Sequence, residues 1–143
     1  MPISYQDDIV SWANEQARLI RAGRFDLLDI EHIADEIEDV GKSEQRELSN
    51  RMALLLAHLI KWQYQPERQG SSWLRTIKEQ RKAIIRRLEK TPSLKPELQD
   101  NTWWEMVWSD AISLVLAEVE LTNLPDICPW TAAEILDEVF WPV

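Results

Sequence analysis

Sixteen residues, His58 to Trp73 (HLIKWQYQPERQGSSW), bring together one of two histidines, two of eight tryptophans, a tyrosine, Lys61 and Arg68. Upstream, Glu31, Asp35 and Glu36 belong to a dense acidic run. His58, Trp62, Trp73, Glu31, Asp35 and Glu36 form the candidate functional surface: an aromatic, acid-rimmed pocket for a small ligand, or a general base. A histidine base needs a carboxylate to orient it and a nucleophile or water within reach. The sequence names no such pair, so no catalytic residue is assigned. The economical reading is a helix-helix corner. Pro66 and Gly70 end one helix, Ser71 or Ser72 caps the next, and Trp62 and Trp73 clasp the joint.

Metal chemistry has one foothold. Asp29, His32 and Glu36 follow one another at steps of three and four, so three possible ligands share a helix face. The paired Glu-x-x-His motif of di-iron bundles does not occur. Acids solvated on an outer helix face, answered by a basic helix, explain the run more simply, and no metal or other cofactor is assigned. The single Cys128 lies in a Cys-Pro-Trp loop with no neighbouring histidine, and reads as a buried structural thiol. It cannot form an internal disulfide, which fits a reducing compartment. Three glycines leave no phosphate-cradling loop.

A different chemistry is written on the segment Arg75 to Lys90. Lys78, Lys82, Arg86 and Lys90 recur at four-residue steps, a stripe able to follow phosphates and extensible through Lys61 and Arg68. The net charge of −9 opposes a polyanion. Asp26 to Glu47 holds nine acids against Lys42 and Arg46, and after Lys95 ten acids occur with no Lys or Arg. Two acidic segments thus flank one basic segment, and the stripe is expected to face acids of its own chain. Nucleic-acid binding through residues 75–90 is therefore the last of three functional readings.

The elements that must position these residues are helices. Alternating runs bounded by hairpin turns are missing, while apolar spacing of three and four recurs throughout. The chain of 143 residues suits one domain, 1–143. A first helix is expected over Tyr5 to Ala22, ended by Gly23. Ile30, Ile33, Ile37 and Val40 make an inward stripe that continues in phase through Leu48, Met52, Leu55, Leu59 and Trp62. This favours one long helix over about 29–64, against two helices broken at Gly41. Glu44 falls on that stripe, either solvated or paired with a cation such as Arg81. The basic helix follows. A segment over about Leu94 to Leu121 turns Leu98, Trp104, Trp108, Ile112, Val115 and Val119 inward and leaves Trp103 outside. Thr131 and Glu134 form a capping box for a last helix that carries Ile135, Leu136 and Val139. The fold class is all-α: a bundle of about four long helices with a short capped helix at the C-terminus.

LDIEHIADEIEDVGKSE (Leu28 to Glu44), HLIKWQYQPE (His58 to Glu67), TPSL (Thr91 to Leu94) and CPWTAAEILDEVFWP (Cys128 to Pro142) together resemble the bacterial domain-of-unknown-function family 29. The resemblance runs nearly end to end and implies an all-helical fold. His32 departs from the asparagine more usual there. The resemblance supplies no activity, substrate or catalytic residue.

The N-terminal MPISYQDDIV is acidic where a signal peptide is basic, and the longest apolar run, MALLLAHLI, is far short of a bilayer span. A cytoplasmic protein without a membrane association is expected. The leading functional expectation is a non-enzymatic protein-interaction module, binding a protein partner or itself through an acidic or aromatic face. A ligand pocket or enzyme comes second.

Overall fold

The computed structural model describes residues 3–143, and no strand occurs among them. Five α-helices follow in order: α1 (Ile9–Arg21), α2 (Ile30–Tyr64), α3 (Ser71–Lys90), α4 (Asn101–Leu116) and α5 (Ala132–Leu136). Single 3-10 turns occupy Phe25–Leu27 and Pro66–Arg68, and a longer 3-10 run spans Pro92–Gln99. The chain divides into two compact units, Met1–Glu44 and Gln45–Val143, and α2 runs through both.

In the first unit α1 starts at Ile9 rather than Tyr5. Asp8 stops it there, because its carboxylate accepts from the Ser11 backbone N–H at 3.1 Å and the Ser11 hydroxyl at 2.9 Å. Gly23 ends the helix at φ 73°, a left-handed conformation that favours glycine. Trp12, Gln16 and Leu19 are the buried residues of α1.

The second helix is continuous over 35 residues. Gly41 does not break it: glycine inside a helix costs only about 1 kcal/mol, and strong helix formers surround it from Lys42 to Glu47. The inward stripe expected from Ile30 to Val40 is corrected. Ile30, Ile37 and Val40 are each 67% exposed. The helix instead turns His32, Ile33 and Glu36 towards partial burial.

The second unit holds the core. Leu48, Met52, Leu55, Leu56, Leu59 and Ile60 of α2 pack with Ile77, Ile84 and Leu88 of α3, Trp103, Val107, Trp108 and Val115 of α4, and Ile135 of α5. Gly70, not a serine, occupies the N-cap of α3, and no side chain caps it. Trp103 is buried, contrary to expectation, and its Nε1 donates to Ser49 Oγ at 3.0 Å, while Trp104 is only half-buried. The reason lies upstream. The 3-10 run has three residues per turn, and extended Asp100 caps a new helix by accepting from Thr102 N at 2.9 Å. The phase carried from Leu98 is thereby lost. The capping box at Thr131 and Glu134 forms, but α5 ends at Leu136 and Val139 is exposed.

Candidate functional site

His58, Trp62 and Trp73 all lie in the second unit and engage three different neighbours. His58 Nδ1 lies 3.0 Å from the Leu54 carbonyl of its own helix, so that nitrogen carries the proton. Burial pushes its pKa down; the Leu54 carbonyl and Glu118 oppose this and Lys61 adds to it. Among the described residues no carboxylate is hydrogen-bonded to the ring. Trp62 packs on Trp141 with ring centroids 4.8 Å apart. Trp73 lies under the Lys61 ammonium, 5.4 Å from its centroid. Lys61 itself is buried and ion-paired to Glu118 at 2.9 Å, so it does not extend the basic stripe. The expected clasp of Trp62 and Trp73 is thus a pair of separate contacts, one aromatic and one cationic.

On α3, Lys78, Lys82, Arg86 and Lys90 are all exposed. Arg81 and Arg87 point the other way. Arg87 reaches Glu47 at 3.8 Å. Arg81 donates to the carbonyls of Ile135 and Phe140 at 2.7 Å each. A hollow in this unit, about 540 Å³, has Trp104, Trp130, Glu105 and Cys128 in its lining. Burial pushes the Cys128 thiol up, which keeps it protonated and a poor nucleophile.

Glu31, Asp35 and Glu36 belong to the first unit. Glu31 and Asp35 are exposed, whereas Glu36 accepts from the Tyr5 hydroxyl at 2.5 Å. That hydrogen bond, with desolvation and the charges of Glu36, Asp39 and Asp35, pushes Tyr5 up to about 12, so it stays a neutral donor. The Tyr5 ring stacks on His32 with centroids 4.2 Å apart. His32 Nδ1 lies 2.7 Å from Asp29 Oδ2, which also accepts from Trp12 Nε1 at 3.0 Å. These bonds, His32 first, hold the Asp29 carboxyl below its usual range. Gln16 Oε1 accepts the Asp29 backbone N–H at 2.8 Å.

Asp29, His32 and Glu36 do share one side at the start of α2, but Asp29 and His32 are bound to each other and Glu36 to Tyr5. No cluster of three or more His, Cys, Asp or Glu able to hold a metal occurs among the described residues. Sequence reading missed Tyr5, Trp12 and Gln16 as partners of this helix start. The only signal available was Asp29 at an N-cap position ahead of the helix.

Beside this polar seam lies bare apolar surface. At 100° per residue, Ile30, Ala34, Ile37 and Gly41 fall within about 60° of one another, Val40 borders them on one side, and Glu31 and Glu38 on the other. All seven are exposed. In the same unit Ile9, Val10, Ile20, Phe25 and Leu27 are exposed too. Such a face can bury apolar area and pair cations; it carries no nucleophile.

These features describe an all-helical protein with an uncovered apolar and acidic helix face, in which no described helix is long and apolar enough to cross a membrane. Residues 4–141 match the family model described as domain of unknown function DUF29, and the chain belongs to that family. Neither the curated proteins nor the solved structures give a match.

Proposed function

We propose that this chain is a protein-interaction module whose docking face is the N-terminal half of α2, and that its partner is a cationic amphipathic helix. The observation that carries the reading is the exposure of Ile30, Ile37 and Val40 on one helix of a unit whose only buried residues, among those described, are Trp12, Gln16 and Leu19. Exposed apolar rows of this kind mark docking sites. Helices read such grooves through anchors at i, i+3, i+4 and i+7.

Charge selects the partner. Glu31 and Glu38 are exposed beside the apolar row, and exposed Asp35 lies just beyond them. A second copy offering the same face would set acid against acid, a repulsion that disfavours the pairing. A helix with lysines or arginines beside its apolar stripe removes that repulsion and pairs the acids.

The test is fluorescence anisotropy with a labelled helical peptide of about 20 residues, leucines at i, i+3, i+4 and i+7 and lysines on its flanks. Saturable binding that weakens with salt is expected, with at least tenfold loss for Ile30→Ser/Ile37→Ser and no binding of a glutamate-flanked peptide. Absence of saturable binding, or equal binding by the variant, overturns the proposal. So does a sedimentation result in which the chain dimerises and the same two substitutions abolish the dimer, since a second copy would then own the face.

A further inference from the structure

Arg81 is only 1% exposed. Its Nε and Nη2 are used by the Ile135 and Phe140 carbonyls, and the Trp141 ring lies 5.3 Å from its Cζ. Its Nη1 has no hydrogen-bond partner. Asp137 and Glu138 act on it through charge without touching it, and they only oppose the effect of burial. A buried cation without a counter-ion in contact is costly. Two carbonyls explain where the guanidinium sits; they leave its charge and one nitrogen unanswered.

Arg81 lines a cavity of about 330 Å³ together with Lys78, Lys82, Glu138 and Val139. Lys78 and Lys82 stand one helical turn apart, exposed and in no ion pair among the described residues. Three cations against one carboxylate leave a positive excess that a dianion balances. The volume exceeds what a bare phosphate or carboxylate group fills and falls in the range of small-molecule sites. Val139 supplies an apolar wall for the remainder.

We propose that this cavity binds a small organic dianion through its carboxylate or phosphate oxygens, with Lys78 and Lys82 making the contacts and Arg81 supplying a fixed, poorly screened charge in the wall. Arg81 is held by backbone carbonyls and cannot swing to meet a ligand. Lys78 and Lys82 are exposed, and the flexible lysine stem lets each ammonium close on one. Glu138 disfavours oxygens brought near it and so limits affinity. The site uses none of the residues of the docking face.

Inorganic phosphate and succinate are the probes, each titrated into the full chain by calorimetry at ionic strength held constant with sodium chloride. A saturable signal is expected from at least one. Phosphate alone, succinate alone, or both identify the oxygen chemistry recognised. Lys78→Gln/Lys82→Gln changes two exposed residues, leaves the fold intact by circular dichroism, and is expected to weaken binding at least tenfold. Glu138→Gln is expected to tighten it severalfold. Arg81→Lys tests the buried charge, but its failure to fold would leave the lysine pair to decide. No saturable heat from either probe up to about 20 mM, weaker than the millimolar range, overturns the proposal. Binding unchanged in the double lysine variant does so as well.

Discussion

Lys61 lies inside the second unit with 6% of its side chain exposed, while its partner Glu118 keeps 63%. The asymmetry decides what each substitution does. Hydrogen bonding from Lys61 holds the Glu118 carboxyl below its usual range, so Glu118 stays ionised near neutral pH. Glu118→Ala strands a buried ammonium beside Trp73 and is expected to cost about 1–3 kcal/mol. Lys61→Met removes the buried charge and keeps the volume, so it should change stability by less than about 1 kcal/mol, or increase it. The double variant should then be more stable than Glu118→Ala alone. Urea midpoints of the three variants check this; equal losses from both single changes would contradict the argument. Near Lys61, His58 shows the same principle in another form. Its ring is held at Nδ1 by a carbonyl of its own helix, which fixes the tautomer, and burial pushes its pKa down.

Among the elements, α2 gives the clearest case of local signals outweighed by the helix as a whole. A glycine in mid-helix invites a break, yet the apolar phase on both sides is continuous and the helix is too. A Cβ built at Gly41 meets nothing within 4 Å. Gly41→Ala is therefore expected to stabilise the protein by about 0.5–1 kcal/mol through backbone entropy and propensity, read as a rise in thermal midpoint. A loss of stability would mean that the helix bends at this position in solution. Caps were legible where the side chain and the turn agree. Thr131 and Glu134 reciprocate as the S/T-x-x-E pattern requires, and Gly23 takes a positive φ. Where glycine itself fills the cap position, as Gly70 does ahead of two serines, the side-chain pattern points to the wrong residue.

At the scale of the molecule, apolar burial is divided unevenly. The core cluster runs from Leu48 to Ile135 and lies within the second unit, whereas the described residues of the first unit bury two hydrophobic side chains and Gln16. Too little area is covered there to offset backbone entropy. We propose that 1–143 is nonetheless one folding domain, with its first unit dependent on the helix it shares with the second. A fragment of residues 45–143 is then expected to keep a helical spectrum and a cooperative thermal transition, and a fragment of residues 3–44 to be largely unstructured. A cooperative melt of the short fragment would show that it folds by itself. The basic stripe of α3 belongs to this scale as well. Its exposed cations Lys78, Lys82, Arg86 and Lys90 lie outside any ion pair among the described residues, so charge segregation along the sequence did not translate into pairing of that stripe within the chain.

The residues themselves settled the helical class and the capping box and favoured the unbroken span of α2 over a break at Gly41, because each depends on interactions within a few positions of the chain. Tertiary structure alone decided which side of each helix is covered. The spacing of Ile30, Ile37 and Val40 is that of a buried stripe, but spacing records only that a helix has an apolar side. Whether another element arrives to cover it depends on contacts from distant residues, as does the choice of Trp103 over Trp104 for burial. The Tyr5–His32 stack, the Lys61–Glu118 pair and the Arg81 clip join residues 27 to 59 positions apart. No local pattern encodes such meetings.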